Sequence, residues 1–155
     1  MWSPLRMAQI QSWLAGVWAG VVLALGGLAA PALFSVLERS MAGTGAGRIF
    51  TLESYVSLGM SMLMFVLERR RVRDAVDAGR AQSAMSATLL MVLAVLFLTI
   101  VGQHVLHPMI QAARQGMSTA LSFGALHGIS AVLYWCKAVL LLVMAWRLSG
   151  AKPAA

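Results

Sequence analysis

The 155-residue chain has few charged side chains and a single cysteine. Charged residues make up 11% of it and hydrophobic residues 60%, whereas a soluble domain has about 25% charged residues. The low charge excludes an ordinary soluble domain and indicates a membrane protein. The lone Cys136 excludes an intramolecular disulfide. A phosphate-binding loop is excluded too, because the glycine-rich segment 42–50 follows an apolar run and no Gly-Lys-Ser/Thr follows it.

Four apolar runs are long enough to cross a bilayer, which takes about 20 residues. The first run is longer than the apolar region of a signal peptide, which has about 7–15 residues, so it is interpreted as a retained helix. The runs predict transmembrane spans at roughly 12–37, 48–67, 84–104 and 121–146. Residues 1–155 are therefore expected to form one all-α domain, a four-transmembrane-helix bundle.

Basic residues are concentrated between the second and third spans, in the segment 68–83. If this segment is a cytoplasmic loop, the basic residues inside are Arg6, Arg69, Arg70, Arg71, Arg73, Arg80, Arg147 and Lys152, and those outside are Arg39, Arg48 and Arg114. This excess predicts that both termini are cytoplasmic and that 105–120 is an outer loop. The clustered charge suits anionic lipid headgroups, and no nucleic-acid partner is expected.

Glycines recur at helical spacing in the first span and at the start of the second. Small residues allow transmembrane helices to approach closely. The predicted helix-packing positions are Gly16, Gly20, Gly27, Gly43 and Gly47. Such a face also favours a homo-oligomer or a place in a larger membrane complex.

Polar side chains that are costly inside a bilayer collect in the predicted outer half. The candidate polar site consists of Arg48, Glu53, Gln103, His104, His107, His127, Ser130, Tyr134 and Lys137. A carboxylate at Glu53 must be protonated, be paired or face a wet cavity, and Arg48 is its expected ion partner. Lys137 lies on one helical face with His127. It either faces a partner in the bundle or extends its long side chain toward the inner interface.

Two interpretations of the histidines stay open. His104 and His107, three residues apart, could join His127 or Glu53 in a site for copper, zinc or another transition metal. Haem b would instead be held between His127 and a histidine of the third span. The alternative is that these histidines only make hydrogen bonds at the interface or in the core, with Glu53 paired structurally.

Two stretches carry a family resemblance: APALFSVLERSMAGTGAGRIFTLESY (30–55) and FGALHGISAVLY (123–134). Both resemble the transmembrane protein 205-like family, whose bacterial members are small integral membrane proteins that form a domain of unknown function. The resemblance implies a four-helix membrane protein and supplies no reaction.

The expected protein is an integral protein of the bacterial inner membrane with no known biochemical activity, and the role expected for it is to bind or transport a metal ion or haem through the His/Glu cluster of its outer half. The alternative is a non-catalytic small subunit or assembly factor of a larger membrane complex. An enzyme is least favoured, because no nucleophile with an adjacent base is visible.

Overall fold

The computed structural model describes residues 4–79, 83 and 85–150, and every regular element in that part of the chain is a helix. The α-helices are α1 (Pro4–Ala24), α2 (Ala30–Val36), α3 (Arg39–Asp77), α4 (Ala87–Ile100), α5 (His107–Arg114) and α6 (Phe123–Ser149). π-Helical turns at Leu25–Ala29 and Val101–Leu106 join α1 to α2 and α4 to α5. Four helical units are long and apolar enough to cross a membrane: Arg6–Val36, Arg39–Asp77, Ala87–Arg114 and Phe123–Ser149. The predicted all-α, four-transmembrane-helix fold is thus confirmed.

The second helix is much longer than the span 48–67 expected from hydropathy. α3 has 39 residues, and its C-terminal part runs through most of the basic segment that was expected to be a loop. Residues 68–77 contain no glycine or proline, and Val72 and Ala75 are buried there. Packing therefore continues the helix beyond the apolar run. Arg80, Ala84 and Lys152, which were used in the predictions of charge and span, lie outside the described residues.

The two ends of the bundle are distinguished by their contacts. The start of α1 meets the end of α6, where Ser12 Oγ donates to the carbonyl of Ala145 at 3.0 Å. The same region of α1 meets the end of α3, where Gln11 Nε2 donates to Glu68 at 3.0 Å. We call this the terminal end. The opposite end, which holds the α2–α3 and α5–α6 connections, is the distal end.

The core forms along one face of α1, which carries Ala15, Trp18 and Val22, each at most 2% exposed. The other helices pack on this face with Met64, Val92, Val95, Leu141 and Met144. Gly16 and Gly20 lie more than about 100° around the helix from it, and a Cβ at either would meet nothing within 4 Å. The packing role predicted for these two glycines therefore does not hold within the described bundle, because α1 buries a different face.

The other predicted packing glycines do lie against neighbouring helices. A Cβ on Gly27 would lie 3.6 Å from the ring of Trp135, and one on Gly47 would lie 3.7 Å from Gln111. Gly43 is tighter, since its Cβ would lie 2.8 Å from the guanidinium of Arg114. Small residues at the start of α3 thus let α5 lie close across it.

Both π-helical turns come just before a proline. Pro31 follows the turn Leu25–Ala29, and Pro108 follows the turn Val101–Leu106. Proline has no backbone N–H and its ring clashes with the preceding turn, and a wider turn relieves both problems. Each wide turn lies in the distal half of a membrane-crossing helix, where the helices separate.

Gly26→Ala is expected to lower the free energy of unfolding by about 1–3 kcal/mol, the usual cost of overpacking a core. The reason is that a Cβ on Gly26 would lie 2.5 Å from Cε1 of Tyr134. Unfolding of the detergent-purified variants measures the effect. Gly16→Ala is the matched control, since its Cβ has open space around it. Equal stability of the two variants would contradict the packing of α1 on α6.

Candidate functional site

A cavity of about 980 Å³ lies in the distal half of the bundle, between α2, α3, α5, α6 and the turn at 101–106. Its wall is largely aromatic and aliphatic, with Phe34, Phe50, Leu98, Ile110, Leu133 and Trp135 among its members. Of the polar residues predicted from the sequence, the lining includes Glu53, Gln103, His107, His127, Ser130, Tyr134 and Lys137. Arg48 and His104 do not line it. One cavity therefore collects most of the predicted polar set.

A buried ion pair forms the floor of this cavity. Lys137 Nζ donates to the two carboxylate oxygens of Glu53 at 2.9 and 2.7 Å and lies 3.4 Å from Ser57 Oγ. Both charged side chains are almost wholly buried. The three N–H groups of the ammonium therefore all have acceptors, as a buried charge requires.

Further hydrogen bonds surround the pair and bring in one more helix, α1. Ser57 Oγ donates to Glu53 Oε1 and accepts from Trp18 Nε1 at 2.9 Å. The Tyr134 hydroxyl donates to the carbonyl of Val22 at 2.7 Å, and its ring lies 5.0 Å from Lys137 Nζ. A cation over an aromatic face is stabilised by the ring quadrupole. The floor thus connects α1, α3 and α6.

The partner of Glu53 is Lys137 and not Arg48, as the sequence had suggested. Arg48 precedes Glu53 by five residues, which places it about 140° away around the helix, and its side chain is exposed. The alternative in which Lys137 extends toward the membrane interface is wrong as well, because the ammonium lies in the bundle with its acceptors. A lysine side chain this deep in the bundle is unfavourable without a counter-ion, and Glu53 is the buried carboxylate that supplies it.

Two arginines lie on the distal side of the cavity. Arg39 begins α3, and Arg114 ends α5 and donates to the carbonyl of Ser40 at 3.3 Å. Both line the cavity and both are exposed. Among the residues that the structure describes, Glu53 is the one acidic member of the lining, and Lys137 neutralises it. The cavity therefore has a neutral floor and a positively charged mouth.

The predicted histidine ligand set is not assembled. Within residues 4–79, 83 and 85–150, no group of three His, Cys, Asp or Glu side chains is placed to hold a metal ion. His104 is exposed. His107 Nε2 lies 3.2 Å from Gln111 Nε2, and His127 stacks on Phe123 with ring centroids 5.9 Å apart. The metal and haem hypotheses gain no support from this geometry.

A second buried carboxylate lies at the terminal end. Glu68 has no exposed surface and accepts from Arg71 at 2.8 and 2.7 Å, from Gln11 at 3.0 Å and from Ser86 at 2.5 Å. Ser86 Oγ also caps α4 by accepting from Leu89 N at 3.1 Å. Glu68 therefore ties α1 and α4 to α3, and it lies within a helix where the sequence predicted the start of a loop.

Sequence reasoning missed several residues of these two clusters, namely Gln11, Trp18, Ser57 and Glu68. Three buried serines of α3, Ser54, Ser57 and Ser61, recur at spacings of three and four residues. That spacing marks one polar face within the second span, and it could have shown that this helix turns polar groups inward.

The outer surface of the helical bundle is largely apolar. Large apolar side chains are exposed around the helices, and Trp13 and Trp146 are exposed at the terminal end. Such a surface on four long apolar helices suits lipid contact, and together they define a multi-pass helical membrane protein.

The comparisons with known proteins add a family. The chain belongs to DUF4149, a domain of unknown function, whose family model matches residues 13–119. No curated protein and no solved structure gives a significant match. Family membership therefore assigns neither a ligand nor a reaction, and the cavity has to be interpreted from its own chemistry.

Lys137→Met is expected to lower the free energy of unfolding by about 3–5 kcal/mol, because it leaves the Glu53 carboxylate buried without its cation. Adding Glu53→Gln should recover most of that loss, since no uncompensated charge remains. Denaturation of the purified single and double variants gives the comparison. Arg48→Met removes an exposed cation near the same end and should change stability by less than about 0.5 kcal/mol. A double variant no more stable than Lys137→Met would contradict the pairing.

Proposed function

We propose that this protein is a binding or transport protein of the membrane whose distal cavity takes an amphiphilic anion. The single observation that carries the proposal is the combination of apolar walls with a cationic mouth and a neutralised floor. The ligand's acidic group would lie near Arg39 and Arg114, and its apolar part would lie along the wall toward Tyr134.

The size and chemistry of the cavity support this assignment. Ligand sites are commonly about 300–1,000 Å³ in volume and mostly apolar, with a few polar groups that fix orientation, and this cavity has about 980 Å³. Guanidinium groups bind carboxylates and phosphates through paired hydrogen bonds. The start of α3 adds the positive end of a helix beside Arg39, and no side chain caps it.

The metal or haem function expected from the sequence is less well supported. It requires at least two histidines to converge, whereas His107 and His127 contact different neighbours on different helices. The alternative role, as a small subunit or assembly factor, has one observation in its favour. Gly16 and Gly20 lie on an exposed face of α1 with open space around them, where a second helix or a second copy could pack.

The membrane and the orientation are part of the proposal. The basic residues of α3's C-terminal part and of the terminal end favour cytoplasmic termini, with the distal cavity opening outward. We propose a bacterial inner membrane as the location, as the resemblance to small bacterial membrane proteins implies. Kinship with the transmembrane protein 205-like family rests on the motifs at 30–55 and 123–134.

The anion-binding role predicts that a fluorescent long-chain fatty acid binds the protein in nanodiscs of zwitterionic lipid. Arg39→Gln and Arg114→Gln should each weaken binding about tenfold or more, since a hydrogen bond to a charged group contributes about 1.5–3 kcal/mol. Ala131→Trp, which places an indole in the cavity, should abolish binding. Fluorescence titration measures each affinity.

Arg48→Gln is the matched control, because Arg48 is an exposed cation of the same helix that does not line the cavity. Its affinity should equal that of the wild type. The methyl ester of the same fatty acid should bind more weakly than the acid. Equal affinity for acid and ester, or undiminished binding to Ala131→Trp, would refute the proposal.

The orientation is tested with single cysteines in a Cys136→Ala background. Met117 lies in the α5–α6 connection and Ser83 in the α3–α4 connection, and both are exposed. In intact spheroplasts, a membrane-impermeant maleimide should label Met117→Cys and should reach Ser83→Cys only after lysis. The reverse pattern would place the termini outside.

A further inference from the structure

The buried face of α3 carries polar side chains between Glu53 and Glu68, with the apolar Met64 lying between Ser61 and Glu68. Glu53, Ser57, Ser61 and Glu68 are at most 4% exposed, and Ser61 and Glu68 follow Ser57 by four and eleven residues. At about 100° per residue these side chains share one face. Gln11 of α1, with no exposed surface, joins this polar column through its hydrogen bond to Glu68.

Two atoms in the middle of the column have unused hydrogen-bonding capacity. Ser61 Oγ and Gln11 Oε1 are the buried side-chain oxygens that lack a partner in the described part of the chain. Buried polar atoms nearly always have partners, and bound water commonly supplies them in a polar interior. Ser61 lies one helical turn from Ser57, and Gln11 Oε1 belongs to the amide that donates to Glu68, so water bound at these two oxygens would extend each cluster toward the other.

Both ends of the column lie beside exposed side chains. Glu53 lines the distal cavity together with exposed residues such as His127. At the other end, Glu68 pairs with Arg71, whose side chain is 21% exposed. A carboxylate thus stands at each entrance, and hydroxyl and amide groups lie between them.

We propose that this column conducts protons between the distal cavity and the terminal end of the bundle. Acidic and hydroxyl side chains buried in membrane helices typically serve such relays. This activity does not depend on the nature of the ligand that occupies the cavity.

The proton balance is simple. A proton from the cavity binds Glu53, passes to Ser57 as that hydroxyl releases its own proton, and continues through water at Ser61 and Gln11 to Glu68. It leaves Glu68 to solvent beside Arg71. Only O–H bonds form and break, no electron moves, and the proton gradient across the membrane drives the direction.

The groups that face Glu53 make its protonation feasible. Lys137 and Tyr134 face it from α6, Ser57 from its own helix, and Trp18 of α1 supports Ser57. When Glu53 becomes neutral, the Lys137 ammonium still has Ser57 Oγ at 3.4 Å and the Tyr134 ring at 5.0 Å. The ring and Ser57 thereby limit the cost of the unpaired ammonium.

The test uses the full-length protein in liposomes that enclose the pH dye pyranine, with potassium and valinomycin to clamp the voltage. After an external pH step, wild-type liposomes should equilibrate faster than protein-free liposomes. Ser61→Ala should slow the protein-dependent rate at least about tenfold, which corresponds to a barrier increase of about 1.4 kcal/mol. Ser61→Thr retains the hydroxyl and should retain conduction.

Ser12→Ala is the matched control, because it removes a partly buried hydroxyl whose bond runs to Ala145 and not into the column. It should conduct like the wild type. Gln11→Leu offers a second lesion in the column and should also slow the rate. Wild-type liposomes that equilibrate like empty ones, or undiminished conduction by Ser61→Ala, would overturn the proposal. Fatty-acid binding is measured separately, so failure there leaves this result intact.

Discussion

The structure depends on how two opposite charges are held inside a membrane bundle. Lys137 on α6 and Glu53 on α3 would each be strongly unfavourable in hydrocarbon alone, but together with Ser57 they satisfy one another. Because the two residues come from different helices, their bond fixes the rotation and depth of α3 against α6. Trp18 and Tyr134 then bring α1 into the same arrangement. On the distal side of this pair the helices separate, and the cavity begins there.

A second fixed point at Glu68 completes the arrangement. The distal pair holds α1, α3 and α6, while the terminal cluster holds α1, α3 and the N-cap of α4. α3 is common to both, and its length allows it to carry one buried carboxylate in each half of the helix. In lipid, where the hydrophobic effect does not drive helices together, polar contacts and close packing specify the bundle. The same polar groups that specify the fold are then available to bind ligands or relay protons.

The fold was largely predictable from the sequence, because four apolar runs of sufficient length leave few alternatives. The boundaries of α3 were not, since buried Val72 and Ala75 extend it through a strongly charged segment. The polar residues of the site were recognised by their cost in the bilayer, yet the partner of Glu53 was misassigned. Arg48 is nearer along the chain, whereas Lys137 is nearer in space, and a single sequence does not show which faces of two helices meet. Likewise, the regular glycine spacing predicted one packing face of α1, whereas the helix buries a different face in the core.

At the floor of the cavity, Lys137 forms a buried ammonium–carboxylate bond with Glu53. Solid-state NMR of the ¹⁵N,¹³C-labelled protein in lipid bilayers tests it most directly, through the Lys137 ¹⁵Nζ shift and its dipolar coupling to the Glu53 carboxyl carbon. This ion pair predicts a charged ammonium with a strong coupling to that carboxyl carbon, and loss of the coupling in Glu53→Gln. A neutral amine, or a Lys137 side chain coupled instead to lipid headgroups, would contradict it.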